Sequence, residues 1–112
     1  MKNVMNMRKK IEDIIQEISD LLEKKYSSFQ GIYLFGSRSY QNSSENSDVD
    51  IAVVFNRDID RNFKNEIIDL IYDFDLEYDL IFDVKILSKN EISNPTTPFR
   101  SLIKENGIYY GV

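Results

Sequence analysis

Three acidic residues and a Gly-Ser pair carry most of the chemistry open to this chain. Gly36-Ser37 stands where the apolar run Ile32-Tyr33-Leu34-Phe35 breaks, and Asp48-Val49-Asp50 leads into Ile51-Ala52-Val53-Val54-Phe55. Residues two apart on a strand share a face, so Asp48 and Asp50 should project side by side from a strand start. Carboxylates that close repel each other, and a proton, a basic partner or a cation must relieve them. A later strand-like run, 80–87, carries Asp83. Each part has a use around a nucleoside triphosphate. Gly36 lacks a Cβ, so phosphate oxygens could come close to its backbone. Ser37 offers a hydroxyl and an N–H at the start of a turn, where anions bind well. Asp48 and Asp50 are hard oxygen donors suited to magnesium. A third carboxylate from a neighbouring strand would allow two ions roughly 3.5–4 Å apart, the spacing used for in-line attack at phosphorus.

Composition removes the competing chemistries. The chain has no Cys, hence neither a disulfide framework nor a thiolate metal site, and no His, hence no imidazole base and no Ser-His triad. Hydrophobic residues at 42% and aromatics at 12% are globular proportions. The 112 residues suit one domain, 1–112, with an N-terminal helix over about 5–26 and a catalytic core over about 31–112. No apolar run approaches the roughly 20 residues of a membrane span. The opening MKNVMNMRKK lacks the apolar core of a secretory signal, so a cytoplasmic location is expected. A net charge of -5 argues against a broad phosphate-binding surface for nucleic acid. It leaves room for a small nucleotide held through a metal. The acidity is concentrated in 65–84, which has Glu66, Asp69, Asp73, Asp75, Glu77, Asp79 and Asp83 and no Lys or Arg. A solvated helix face and loop account for most of these.

The elements that must position the acids follow from periodicity. Met7, Ile11, Ile14, Ile15, Ile18, Leu21 and Leu22 recur at helical spacing. Residues 26–31 read as the exit from that helix and a loop. The run 32–35 is apolar on both faces, as in a strand covered on both sides, and 48–55 forms a second strand. Phe63, Ile67, Leu70, Ile71 and Phe74 mark a second amphipathic helix. In 80–87, Ile81, Asp83, Lys85 and Leu87 share one face and Phe82, Val84 and Ile86 the other. Residues 88–98 read as loop with a short turn at 89–92. Residues 99–105 read as a short helix stopped by Asn106-Gly107. The expected fold is α+β, a small mixed sheet with helices packed on it in the order α-β-β-α-β-α, to which 108–110 could add a terminal strand. Tyr33 is expected in the core, with Tyr109 and Tyr110 capping it. Two near-matches fail. Gly31-x4-Gly36 has the glycine spacing of a Walker A loop, but Ser37-Arg38 replaces its Lys-Ser/Thr and an apolar strand fills the interval. Asn46, Asp48 and Asp50 open like a calcium loop, but Ile51 and Arg57 occupy its glycine and closing glutamate positions.

Taken together, GSRSYQNSSENSDVDIAVVF resembles the signature of the minimal nucleotidyltransferases, the small MNT branch of the polymerase-beta-like superfamily. Gly36-Ser37, Asp48-Val49-Asp50 and Asp83 in IFDVKILSK fall on its pattern of strand, Gly-Ser, spacer, Asp-hydrophobic-Asp and a later acidic strand. The ending PFRSLIKENGIYYGV is similar too, so the resemblance runs from about residue 32 onward. It implies a nucleotidyltransferase fold and transfer of a nucleoside monophosphate, usually AMP from ATP, to an acceptor hydroxyl. In that scheme Asp48 and Asp50 bridge two Mg2+ ions, and Asp83 holds the catalytic one and helps activate the acceptor oxygen. Without His, that carboxylate is the best available base. Gly36, Ser37 and Arg38 would bind phosphate, although Arg38 reads equally well as a surface arginine. Gln41 stands where the family often has a small residue, which bears on the shape of the phosphate loop. Lys85 reads more as a neutraliser of Asp83 than as a substrate contact. A solvated cluster at strand ends is the bland account of the three acids.

One catalytic layer leaves no second domain for an acceptor. The resemblance implies a partner, since MNT proteins commonly act as antitoxins that adenylylate a tyrosine of a HEPN-domain ribonuclease toxin. The alternative is a non-catalytic antitoxin or binding module that neutralises its partner by contact. The complete acidic trio favours the enzyme.

Overall fold

The computed structural model describes residues 4–35, 49–94 and 108–111. Its first element, α1 (Val4–Lys25), buries Ile11, Ile14, Ile15, Ile18 and Leu22 along one stripe, the face that a 3.6-residue period prescribes. Lys24 and Lys25 close its last turn, where cations complement the helix dipole. Strand β1 (Phe29–Phe35) follows, then β2 (Val49–Phe55), helix α2 (Arg61–Tyr78), strand β3 (Phe82–Ser88), the one-turn helix α3 (Lys89–Ser93) and strand β4 (Ile108–Gly111).

The four strands form a mixed sheet in the order β3-β2-β1-β4. β1 runs antiparallel to β2 and to β4, whereas β2 and β3 are parallel. A parallel pair needs a crossover, and α2 supplies it. The expected α+β architecture with a mixed sheet is therefore present, terminal strand included. β1 begins three residues earlier than the apolar run implies. Phe29 pairs with Phe55 across a register shift before Gly31 meets Val54, a pairing invisible to local sequence. α2 extends to Tyr78 and ends on Asp79, a non-glycine residue in the left-handed region at φ 55°. Its start is set by Asp60, whose Oδ1 accepts the Phe63 N–H at 2.7 Å, an N-cap bond. α3 is fixed by a reciprocal box in which Glu91 N–H donates to Ser88 Oγ and Ser88 N–H to Glu91 Oε1. The helix expected at 99–105 lies outside the described residues.

Alternation along the strands divides the core. Ile32, Leu34, Val49, Ile51, Val53, Phe55, Phe82 and Ile86 meet α1 and α2 on one face. Phe55 is fully buried, its ring edge-on to Tyr26, Phe29 and Phe63 at centroid distances of 5.9, 5.7 and 4.8 Å, the favoured aromatic geometry. The opposite face carries a smaller cluster of Ala52, Val54, Leu87 and Ile92, with Tyr33 and Phe35 packed against it. Tyr33 thus belongs to the lesser core. Of the last two tyrosines only Tyr110 packs on the main one, and Tyr109 is exposed. Among the described residues, no helix is long and apolar enough to cross a membrane.

Candidate active site

The second residue of β2 is Asp50 and the second of β3 is Asp83, and the parallel register sets them directly opposite each other. Neighbouring strands are spaced by about 4.8 Å, so the two carboxylates leave backbones about that far apart. Their strand neighbours Val49, Ile51 and Phe82 point into the helix-covered core. Asp50 and Asp83 therefore point to the other face, the one shared with Ala52, Val54 and Leu87. Both are half-buried. Two like charges in this position repel each other. Part of that load falls on Lys85, whose Nζ lies 3.3 Å from Asp83 Oδ1, with the two side chains 45% and 46% exposed. Lys85 thus sits where the neutralising role assigned to it requires. A pair this exposed contributes about 0–1 kcal/mol, weak enough to exchange for a stronger cation.

The surroundings of the acids combine an apolar floor with aromatic edges. Phe35, the last residue of β1, lies across from Asp50, and the next row inward is Tyr109, Tyr33, Ala52 and Lys85. The Tyr33 and Tyr109 rings are 4.8 Å apart and tilted by 47°. The Tyr109 hydroxyl donates to the Gln30 carbonyl at 2.8 Å, and burial pushes its pKa up. Its ring lies so close over Gly31 and Gly111 that a Cβ at Gly31 would come within 2.6 Å of it. Tyr33 and Phe35 as part of this face escaped the sequence reading. The signal was present, since alternation beyond Gly31 puts Tyr33 and Phe35 on one face, but which face meets Asp50 depends on strand order.

Of the expected site residues, Asp50 and Asp83 are brought together. Gly36, Ser37, Arg38 and Asp48 lie outside the described residues, as does Gln41. In the chain Gly36 follows Phe35 directly and Asp48 precedes Val49 directly. The acid-rich helix is elsewhere. Glu66, Asp69, Asp73 and Glu77 are exposed on α2, on the other side of the sheet. Glu66 accepts a hydrogen bond from the Tyr26 hydroxyl. A cleft of about 390 Å³ between Ile59, Arg61, Lys64 and Glu91 opens beside Ile86 and Leu87, towards the far end of β3 from Asp83.

The donors on the acid face suit a hard divalent cation, since two carboxylates stand in register and one already holds an ammonium. Among the described residues no third acid joins them.

The polymerase beta nucleotidyltransferase family model matches residues 16–109. Among solved structures, one from Sulfolobus solfataricus assigned as a nucleotidyltransferase superposes with a TM-score of 0.65 at 15% identity, over 98% of this chain and 87% of that one. A toxin-antitoxin structure with AMP-PNP gives 0.62 at 25% identity, over 88% and 73%. A mutant of the toxin-antitoxin MntA-HpeT gives 0.59 at 26% identity, over 87% and 72%. No curated protein matches the sequence.

Proposed function

This chain belongs to the polymerase beta nucleotidyltransferase family, and from that premise we propose that it moves AMP from ATP to a hydroxyl on a partner protein. The observation that carries the reading is the register that sets Asp50 against Asp83 on the sheet face away from α1 and α2. A structural role would not call for two like charges side by side. A triphosphate reaction centre does, because the divalent cations that neutralise the phosphates need oxygen ligands.

Asp50 and Asp83, completed by Asp48, are the residues to hold Mg2+, which when bound supplies charge neutralisation on the phosphates. Gly36, Ser37 and Arg38 follow β1 and are proposed to bind the phosphate tail. The acceptor oxygen attacks the α-phosphorus, the bond from that phosphorus to the β-phosphate bridge breaks, and pyrophosphate leaves. The acceptor hydroxyl's proton passes to a carboxylate oxygen of Asp83, the best base in a chain without His. Lys85 gives up its contact with Asp83 as substrate arrives. The apolar floor of Ala52, Val54 and Leu87 keeps water from one side of the acids.

The partner belongs to the same proposal. An antitoxin role is supported by the likeness to toxin-antitoxin structures, one of them with AMP-PNP, and the MNT branch with a HEPN-type toxin as acceptor is the form of that role proposed here. The chain would act as one domain, 1–112, in the cytoplasm, where ATP and magnesium are at hand. Calorimetry of ATP binding with and without magnesium, on the wild type and on Asp50→Asn, tests the site. Magnesium-dependent binding that the substitution abolishes is expected, and its absence from the wild type would sink the enzyme. A mass gain of one AMP on a co-expressed HEPN partner tests the acceptor. Neutralisation of the partner without that gain would favour contact inhibition.

A further inference from the structure

Helix α2 has a second, exposed face. Its inner side, Phe63, Ile67 and Ile71, is buried against the sheet and α1. On the outer side Ile68, Tyr72 and Leu76 are 36%, 55% and 65% exposed. They recur at i, i+4 and i+8, so they line up as one ridge about 12 Å long. Scattered exposed apolar residues need no explanation, but three in register on one helix form a continuous strip. Each is followed by an acid: Asp69, Asp73 and Glu77. One residue on is a 100° turn, so these carboxylates form a parallel ridge beside the apolar one. The stretch 65–84 contains no Lys or Arg. Among the described residues no base pairs with Asp69 or Asp73.

We infer that this double ridge docks a basic amphipathic helix of a partner protein. An apolar strip bordered by carboxylates on one flank calls for an apolar strip bordered by Lys or Arg, laid helix on helix. Tyr72 and Leu76, the most exposed of the three, are the anchors, and the acids set orientation and on-rate. A second copy of this chain fits worse. Its acid ridge would face another acid ridge in a protein of net charge -5. Among the described residues the other exposed large hydrophobics are Ile81, just before β3, and Tyr109 of β4, and they build no matching basic strip. The surface lies across the sheet from Asp50 and Asp83, so it stands or falls independently of nucleotide transfer.

The probe is a fluorescently labelled Leu/Lys amphipathic helix of roughly 18 residues, long enough to be helical, beside a Leu/Glu peptide of the same apolar pattern. Binding is read by anisotropy against the wild type, Tyr72→Ala/Leu76→Ala, Asp69→Lys/Asp73→Lys and, on exposed positions of α1, Glu12→Lys/Glu23→Lys. All changes are at exposed sites, and thermal melts check folding. The Leu/Lys peptide should bind the wild type and the α1 variant alike, and either ridge variant should weaken it at least tenfold. The Leu/Glu peptide should not bind. No binding to the wild type, undiminished binding to both ridge variants, or an equal loss in the α1 variant would overturn the assignment. So would a wild-type dimer in sedimentation that Tyr72→Ala/Leu76→Ala dissolves, which would make the occupant a second copy.

Discussion

Replacing Asp83 with Asn should separate activity from stability. Asp83 takes part in two electrostatic interactions of opposite sign. Facing Asp50 across one strand spacing, about 5 Å, it is repelled by about 0.8 kcal/mol in a water-like medium and about 3 kcal/mol at an effective dielectric of 20. With 46% of its side chain exposed, the lower figure is closer. The Lys85 ion pair at 3.3 Å opposes this with about 0–1 kcal/mol. Asp83→Asn removes both, so the net change should stay within about 1 kcal/mol of zero, a melting shift of at most about 4–8 °C. The same substitution removes a proposed magnesium ligand and the proposed base. Melting the two proteins with magnesium and a non-hydrolysable ATP analogue provides the assay. A ligand at 100 times its Kd adds about 2.7 kcal/mol to the state that binds it. The wild type should rise accordingly, only when magnesium is present, and Asp83→Asn should not rise. A loss of more than about 2 kcal/mol without ligand would mean that Asp83 is structural. A full magnesium-dependent rise in the variant would remove it from the site.

Other perturbations test the scaffold. Phe55→Ala, which empties the centre of the edge-on aromatic cluster, should cost about 3–5 kcal/mol in urea unfolding. Gly31→Val should drive the Tyr109 ring off the sheet, because its first added carbon already lies within 2.6 Å of that ring. Hydrogen exchange at 108–111 should speed up while α1 stays protected. Burial first, then its bond to Glu66, pushes the Tyr26 pKa up from 10.0 to about 12. A group raised on folding favours the folded state below its unfolded pKa and loses that contribution as pH climbs through the folded one. Stability should therefore fall between about pH 10 and pH 12, and less steeply in Tyr26→Phe, in denaturant titrations at several pH values.

Residues whose partners are local were legible in the sequence. The stripe from Ile11 to Leu22 announces α1, and alternation in β3 puts Asp83 and Lys85 on one face, where the structure joins them. What depends on distant pairing was not. Phe29 and Gln30 read as loop because their strand character comes from residues some 25 positions away, around Phe55. The end of α2 carries no plain stop signal in the sequence, because its stop is Asp79 in a left-handed conformation, where the usual signal is Gly or Asn. The acids show the same divide. Their places on two strands follow from the pattern, but their direct opposition follows from the parallel register of β2 and β3. The outer ridge of α2 was visible as a run of acids, and only the burial of its inner face shows that Ile68, Tyr72 and Leu76 are left over.

The sheet order also sets a timetable for folding. β2, α2 and β3 are consecutive in the chain and can assemble around Ile67 and Ile71 over a short loop. β4 reaches β1 by joining Gly31 to Gly111, positions far apart in the chain. Ordering that much chain is entropically unfavourable until the rest of the sheet is in place. β1 must therefore wait with its outer edge unpaired, and the four residues of β4 are the clasp that closes last and opens first.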